Sequence, residues 1–524
     1  MHIIQREKMD KKLTISLLAV IIVIAAAAVV LLNNDDGNKL TIESGTYPTN
    51  LMILGNANLD DHLDEKDVDY IRQLIDRGDI DYNKHYFADA NFDGTIDEAD
   101  AIRVEKMIAG EWDELVKCYY LNACFEIASF DMTAPDRKLI TLICPPLDDV
   151  LILNPDLLVG TDMRPSIGKY KPQYEGILSS IEARNGIDLI DVGVASTPSM
   201  ELIAQASKNN NGHMIVVCGD NSYGPTMEQT LESAGVQIIR IPTWEYGGTL
   251  PGLLTLAYLL DVDDDDGYDE MERAYDYLKW YKDVEGYVSS CVSSIPTSER
   301  PGVACTYAYT DPMQILGHYT GEYNNSLKLG IYDVTGEYLG NSATGGHGNA
   351  IDSEVISELV KNHGLDVLVG MVGSPFQVED NQFGTGGSAS QDQASYEGMK
   401  SVYDKWISRI GPSLSEEGEA DFFITGYSFF SGVSEPVGEL ILGYYLYGEK
   451  YGFTLEMLEQ KTNEYCKILG IYDMDGDGIC NPLDENGRPY EWSFDYMNLI
   501  YAGEADEKNV MNREAGIEAW RNRV

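Results

Sequence analysis

Two twelve-residue segments carry oxygen-bearing side chains at the spacing that calcium requires. They read NANLDDHLDEKD from Asn56 and DANFDGTIDEAD from Asp89. Calcium takes six to eight oxygen ligands, and a loop that supplies them from positions 1, 3, 5, 9 and 12, with a backbone carbonyl at position 7, wraps the ion. Gly94 provides the sharp turn at position 6 of the second loop, where the first loop has Asp61. The predicted ligands are Asn56, Asn58, Asp60, Asp64 and Asp67 in the first loop and Asp89, Asn91, Asp93, Asp97 and Asp100 in the second.

A third segment near the C-terminus, DMDGDGICNPLD at residues 473–484, has the same register of oxygen donors. It stands alone, and Pro482 prevents a helix from beginning inside it. We expect a structural calcium here rather than a third copy of the same unit. Its predicted ligands are Asp473, Asp475, Asp477, Asn481 and Asp484.

A second group of candidate residues follows the predicted strands and is rich in aromatic side chains. Aromatic walls with few polar groups suit a bulky planar or chelated ligand. Arg164 could pair with a carboxylate, and His347 could bind a metal axially or donate a hydrogen bond. The predicted cleft residues are Arg164, Trp244, Tyr246, Tyr307, Tyr309, His347, Phe376, Tyr427 and Phe429.

Two kinds of element must position these residues. Each of the first two loops is followed by apolar residues at helical spacing, which predicts a small α-helical module over residues 51–112. From about Cys118 onward, short β-branched runs ending in Gly or Pro alternate with helical stretches, which indicates parallel sheets. The helical residues are Val68, Ile71, Leu74 and Ile75, then Ile102, Val104, Met107 and Ile108; the strands are 138–144, 156–160, 187–193, 213–219, 236–242, 302–310, 365–373 and 420–428.

A long helical pattern between residues 269 and 289 separates the two sets of strands, with Gly286 as a weak point. The fold class is therefore α/β, with two α/β lobes joined by a long helix, preceded by a transmembrane helix and the small calcium module. The predicted domains are 1–33 anchor, 34–50 linker, 51–112 calcium module, 118–260 first lobe, 261–298 linking helix and 299–524 second lobe.

The tandem loop–helix units resemble the dockerin domain over residues 51–112. That resemblance implies two bound Ca²⁺ ions on the positions just named. It also implies a cohesin-like protein as the docking partner.

The pair of lobes resembles the substrate-binding proteins of ABC importers that carry ferric siderophores, haem or cobalamin, over residues 130–510. The stretches LILNPDLLVG (151–160), AIDSEVISELVKNHGLDVLVG (350–370) and FFSGVSEPVGELILGYYLYGEKYG (429–452) carry this resemblance. The family implies a metal-chelate or corrinoid ligand and an ABC permease as partner. It implies a binding protein and not an enzyme.

The N-terminus predicts export. Residues 13–32 contain no charged side chain, and about 20 such residues span a bilayer as a helix. Basic residues precede this run and acidic ones follow it, so we expect a single-pass anchor with the bulk of the chain extracytoplasmic. The small residues at 25–28 resemble a cleavage region, whereas the apolar residues at 29–32 favour an uncleaved anchor.

The composition excludes one class of partner and leaves two other functions open. A net charge of −49 repels phosphate backbones, so no nucleic acid is expected. The eight cysteines permit disulfides, Cys118 with Cys124 among them, whereas Cys144 and Cys218 lie in apolar strand-like runs and suit buried free thiols. No GxSxG or HExxH motif occurs, although a dockerin-bearing extracellular hydrolase or a cell-surface scaffold protein remains the alternative.

Overall fold

A computed structural model describes residues 40, 42 and 47–503 of the chain, with gaps. The gaps are residues 79, 134–136, 163–177, 179–180, 184, 243–246, 262–268, 309–312, 316–327, 335–349, 373–376, 379–381, 384–388, 416–419, 427–431 and 470–499. The predicted anchor at 13–32 and the third loop at 473–484 therefore lie outside the described residues. Within those residues, no helix is long and apolar enough to cross a membrane.

The two loops are each followed by one helix, as the sequence predicts. Each helix begins at a capping box, because the aspartate side chain at loop position 9 accepts a backbone N–H of the first turn, and the backbone N–H of position 9 donates to the carboxylate at position 12. Gly78, in the left-handed region at φ +68°, ends the first of these helices. The helices are α1 (Glu65–Arg77), α2 (Tyr82–His85), α3 (Glu98–Ile108) and α4 (Trp112–Leu115).

The apolar residues at helical spacing lie on α1 and α3, as predicted. Val68, Ile71 and Leu74 of α1 are buried in a small core with Ala101 and Val104 of α3. Ile102 and Ile108 are 45% and 42% exposed, so these two residues of the pattern lie outside the buried face of α3. That face consists of Ala101, Val104 and Met107.

The first lobe contains a five-stranded sheet in the order β5-β4-β3-β8-β9, with every neighbouring pair parallel. The chain winds outward from β3 to one side and then from β8 to the other, so a topological switch point lies between β3 and β8. Two antiparallel hairpins, β1–β2 and β6–β7, accompany the sheet. The elements are β1 (Lys117–Leu121), β2 (Ile127–Asp131), β3 (Lys138–Thr141), α5 (Cys144–Leu153), β4 (Leu158–Thr161), β5 (Ile190–Asp191), β6 (Gly193–Val194), β7 (Thr197–Pro198), α6 (Met200–Asn209), β8 (Met214–Cys218), α7 (Met227–Leu231), β9 (Val236–Arg240) and α8 (Thr249–Leu260).

The second lobe contains a mixed seven-stranded sheet in the order β13-β11-β10-β14-β17-β18, with β12 beside β10. Its centre is parallel, because β14 pairs in parallel with both β10 and β17. Before it runs a long helix, α9 (Glu270–Ser293), which we call the linking helix. The later elements are β10 (Gly302–Tyr307), β11 (Met313–Ile315), β12 (Tyr332–Asp333), β13 (Ala350–Ile351), α10 (Ser353–His363), β14 (Val367–Val372), β15 (Gln377–Val378), β16 (Gln382–Phe383), α11 (Ala389–Ser415), β17 (Asp421–Gly426), α12 (Glu435–Leu446), α13 (Leu455–Ile468) and β18 (Ile500–Tyr501).

The linking helix touches both lobes. It packs against α5 and α8 on one side and against α12 and α13 on the other. The Tyr277 hydroxyl donates to the carbonyl of Val433 at 2.8 Å, just before α12. In the described part of the chain, the passage from the first sheet to the second runs through α8 and this helix.

The loop module, residues 51–112, is packed into the first lobe. Residues 51–54 are fully buried and lie beside β1, where Leu54 N–H donates to Tyr119 O and Leu121 N–H donates to Met52 O, both at 2.9 Å. Leu51, Ile53 and Met107 belong to the same apolar core as the linking helix. The module is thus joined to the large domain by a continuous core.

Candidate metal centre and ligand cleft

The first and second loops repeat the same hydrogen bonds at equivalent positions. In each, the carboxylate at position 12 accepts the backbone N–H groups of positions 3 and 9. These bonds join Asn58 and Asp64 to Asp67 (3.0 and 2.9 Å) in the first loop, and Asn91 and Asp97 to Asp100 (3.1 and 2.9 Å) in the second. Position 4 is left-handed in both, at Leu59 (φ 62°) and Phe92 (φ 56°). The two segments therefore have the same backbone course, and the sequence repeat is a structural repeat.

The position-12 carboxylates are buried in an anionic environment. Asp67 and Asp100 are each 0% exposed. Burial, with a smaller contribution from neighbouring aspartates, raises the pKa of both to about 6. A buried carboxylate stays ionised most readily beside a positive charge. A cation within either loop would meet that need.

Position 1 differs between the loops. In the second, the Asp89 carboxylate accepts the N–H groups of Asp93 (3.0 Å) and Gly94 (2.9 Å) and the Tyr82 hydroxyl (2.6 Å). In the first, the Asn56 amide group donates to its neighbours' carbonyls, and its buried Oδ1 has no hydrogen-bond partner. Leaving such an oxygen unpaired costs about 1–3 kcal/mol.

The donor sets fit calcium in their chemistry, since every predicted ligand offers oxygen and a carboxylate has about four acceptor positions. Asn56 Oδ1 in particular has no hydrogen-bond partner, and a bound cation would be its partner. As the side chains lie, no three or more His, Cys, Asp or Glu side chains in the described part of the chain are close enough together to hold a metal.

Most of the predicted cleft residues lie outside the described residues. Tyr307 is described: it ends β10, is 8% exposed, and is paired across the sheet with Met371 and Gln314. In sequence, Tyr309, Phe376, Tyr427 and Phe429 come within a few residues after the ends of β10, β14 and β17. Those outside the description are Arg164, Trp244, Tyr246, Tyr309, His347, Phe376, Tyr427 and Phe429, and so are the third-loop residues Asp473, Asp475, Asp477, Asn481 and Asp484.

The switch point of the first sheet carries backbone strain that the sequence pattern did not indicate. Ile143, between β3 and α5, has φ +69°, which is rare for a β-branched residue. Its N–H donates at 2.8 Å to the buried Asp162 carboxylate just after β4, whose pKa burial raises to about 6. Strained backbone held by neighbouring groups concentrates at ligand sites.

A cluster of charges at the junction of the lobes, with two buried carboxylates, was also missed. The Lys328 ammonium contacts Glu439 (2.7 Å), Glu285 (3.0 Å) and Glu435 (3.3 Å). Burial alone would lower the pKa of Lys328, but the carboxylates raise it well above its usual value. Burial raises the pKa of Glu439 to about 8. The spacing of Glu435 and Glu439, one turn apart on a predicted helix, was the available signal.

Thr249, at the start of α8, connects this cluster to the first lobe. Its hydroxyl donates at 3.1 Å to the second oxygen of Glu435. Tyr281 of the linking helix accepts from Lys328 at 2.9 Å. The cluster therefore holds α8, the linking helix and α12 together.

Cys118, Cys124 and Cys218 are free thiols in the structure. Cys118 is buried in β1 and Cys124 is half-buried, so the predicted option of a disulfide between them is not realised. Cys218 is a buried free thiol, as expected. Cys144 begins α5, so the strand predicted over 138–144 ends early, at Thr141.

No protein-family model matches the chain, and no curated protein matches it. Several solved structures are distantly similar. The TroA-like periplasmic binding protein FepB from Veillonella parvula is 14% identical with a TM-score of 0.44, over 67% of this chain and 95% of that one. The molybdate-bound periplasmic binding protein MolA of Haemophilus influenzae is 13% identical with a TM-score of 0.45, over 67% and 97%. The Fe³⁺–Desferal-bound siderophore-binding protein FhuD from Vibrio cholerae is 13% identical with a TM-score of 0.37, over 58% and 95%.

Proposed function

We propose that this chain is an extracytoplasmic solute-binding protein of an ABC importer, tethered to the membrane by its N-terminal anchor. It captures an iron chelate, haem or a cobalamin-like ligand between its two lobes and has no catalytic activity. The observation that carries the proposal is the helical passage between two α/β sheets, with the linking helix packed on both. A ligand held between two such lobes contacts both of them, as a capture protein requires.

The order of the strands supports a cleft at one edge of the second sheet. Since β10, β14 and β17 are adjacent and parallel, the segments that follow them leave from the same edge. Those segments contain Tyr309, Phe376, Tyr427 and Phe429. Aromatic side chains gathered there would suit a large ligand with flat apolar surfaces.

The proposed partners follow from the same function. A permease in the membrane would receive the ligand from the two lobes. We also propose that the first and second loops each hold Ca²⁺, which would supply positive charge to the buried carboxylates Asp67 and Asp100. In that state the module would serve for docking to a cohesin-like protein.

Fluorescence quenching of the full chain tests the proposed ligand class. The chain, in calcium, is titrated with haem, with cobalamins and with a panel of ferric chelates. We expect saturable quenching by one class with a Kd below about 1 μM. Trp244→Phe removes the reporter predicted to lie nearest the ligand and should lose most of that signal.

Trp112→Phe is the matched control. Trp112 belongs to the loop module, where its ring meets that of Tyr258 edge-on at 6.2 Å. This variant should keep the quenching seen with the unmodified chain. No response to any class, or equal losses in the two variants, would contradict the proposed cleft.

A further inference from the structure

The first loop contacts the linking helix through two consecutive residues. The Tyr275 hydroxyl donates to the backbone carbonyl of Asp61 at 3.2 Å. The Lys282 ammonium lies 2.6 Å from the Asp61 carboxylate. The His62 ring lies against the Tyr275 ring, with centroids 4.6 Å apart. Loop positions 6 and 7 are thus bound to the helix that joins the lobes.

The contact surface on the helix is a single face. Tyr275 and Lys282 are two turns apart, a spacing that places side chains one above the other. A second contact lies beside it, where the N–H of Met52 donates at 3.0 Å to the buried hydroxyl of Thr255 on α8. The loop module therefore touches both helices through which the chain leaves the first lobe.

The contact explains why the first loop departs from the pattern of the second. Where the second loop has Gly94 and Thr95, the first has Asp61 and His62, the two residues that hold the helix. The Asp61 carboxylate is further fixed by the Asn50 amide group at 2.7 Å. Although burial acts to raise the pKa of Asp61, Lys282 and Asn50 hold it below its usual value. Asp61, which suits position 6 of a calcium loop less well than glycine, thus makes an intramolecular contact.

We propose that the first loop is a joint between the loop module and the linking helix, and that cation binding in this loop fixes the helix. The inference rests on the proposed function, since it assumes that the loop holds Ca²⁺. The partner of this face of the module is the protein's own helix. A protein partner from outside would have to use another face of the module.

The coupling has a direct physical route. Without a cation, the carboxylates of Asp60, Asp64 and Asp67 repel one another around a loop whose Asn56 Oδ1 is unpaired. A bound cation removes that repulsion and orders the backbone between positions 5 and 9. Because Asp61 and His62 lie in that interval, ordering it also orders their contacts with the helix. By linkage, the contacts must strengthen cation binding to the same degree.

Hydrogen–deuterium exchange of the full chain, with Ca²⁺ or with a chelator, tests the joint. Calcium should slow exchange in residues 56–67 and 89–100, and also in the linking helix near Tyr275 and Lys282, there by about fivefold or more. Lys282→Met should reduce the slowing in the helix while leaving the second loop protected. Tyr275→Phe, which removes only the hydroxyl, should act in the same direction.

Lys279→Met is the matched control, because Lys279 is an exposed lysine on the same helix. It should behave as the unmodified chain. Protection of both loops with no change in the helix would overturn the joint and leave calcium binding intact. The joint would also be overturned if no region responded and calorimetry found no calcium binding, and the calcium proposal would then fail as well.

Discussion

Individual side chains explain why the two loops, alike in sequence, are unequal in chemistry. Asp89 fills position 1 of the second loop with three hydrogen bonds, whereas Asn56 fills it in the first with an unpaired oxygen. Both loops end on a buried aspartate whose hydrogen bonds come from backbone N–H groups. Burial of these two carboxylates is unfavourable while they are ionised and no cation is present.

The pH dependence of stability should report this burial directly. The folded pKa of Asp100 is about 6 against an ordinary value of 3.8, so the folded state binds more protons between about pH 4 and 6. In a chelator, stability from this group is therefore present at pH 4 and lost as the pH rises through 6. Asp100→Asn should flatten that part of the profile, measured by urea unfolding across the pH range.

Bound calcium should offset the loss of stability that the unmodified chain shows at neutral pH in a chelator. At pH 7, Ca²⁺ at about 100 times its Kd should stabilise the folded state by about 2.7 kcal/mol per site. Asp100→Asn should lose one site's share, and Asp113→Asn, at an exposed carboxylate, should lose none. An Asp100→Asn variant with the full calcium effect would show that this carboxylate holds no cation.

The junction cluster allows a third prediction at this scale. The folded pKa of Glu439 is raised by burial to about 8 from an ordinary value of 4.5, so its contribution to stability is present below about pH 4.5 and is lost as the pH rises from there through 8. Glu439→Gln keeps an oxygen for Lys328 and removes the charge. At pH 9 it should be more stable than the unmodified chain by on the order of 1 kcal/mol, the value of one pKa unit.

Glu285→Gln provides the comparison within the same cluster. Glu285 also contacts Lys328, but its side chain is 38% exposed and solvent screens the interaction. Unfolding in guanidinium at pH 5 and pH 9 measures the effect of each substitution on the free energy of unfolding. That effect should differ less between the two pH values for Glu285→Gln than for Glu439→Gln. Equal behaviour of the two variants would mean that burial does not distinguish the two carboxylates.

Two helical glycines, one in the linking helix and one in α8, distinguish the effect of helix propensity on stability from the effect of packing. Gly286 lies in an exposed turn of this helix with open space around it, whereas Gly252 in α8 would place a Cβ 2.1 Å from the carbonyl oxygen of Pro242. Gly286→Ala should stabilise the chain by about 1 kcal/mol through helix propensity alone. Gly252→Ala should destabilise it, because the helix and the preceding loop would have to separate. Thermal unfolding of the two variants under one condition decides between these signs.

The sequence predicted the elements better than their packing. Each predicted strand has an observed counterpart, because short β-branched runs between Gly and Pro are a strong local signal. The strand at 138–144 is shorter than predicted since the prolines at 145 and 146 begin a helix. On the linking helix, the sequence pattern predicted one apolar face, made of Met271, Ala274, Tyr275, Leu278, Tyr281 and Val288. Tyr277 and Trp280 are buried outside that face, because elements of both lobes pack on the helix.

The site was less predictable for a physical reason. The alternation of Asp and Asn at fixed positions is local, so the loops could be found from the sequence alone. The contact of Asp61 with Lys282 joins residues far apart in the chain and leaves no local pattern. The strain at Ile143 depends on an aspartate from the neighbouring strand, which the sequence likewise does not reveal.

At the scale of the whole molecule, the described part of the chain is one connected body. A continuous apolar core includes Leu51 of the loop module, the linking helix and Phe423 of the second sheet. The junction cluster adds charged contacts between α8, the linking helix and α12. The loop module thus shares an apolar core with the linking helix and the second sheet.

Equilibrium dialysis of the full chain in calcium against haem, a cobalamin and a ferric hydroxamate tests the central claim most directly. A protein that closes two lobes on one ligand should retain one class at one molecule per chain, and excess unlabelled ligand of that class should displace it. Retention of none of the three classes, or uptake of many molecules without saturation, would contradict a solute-binding function.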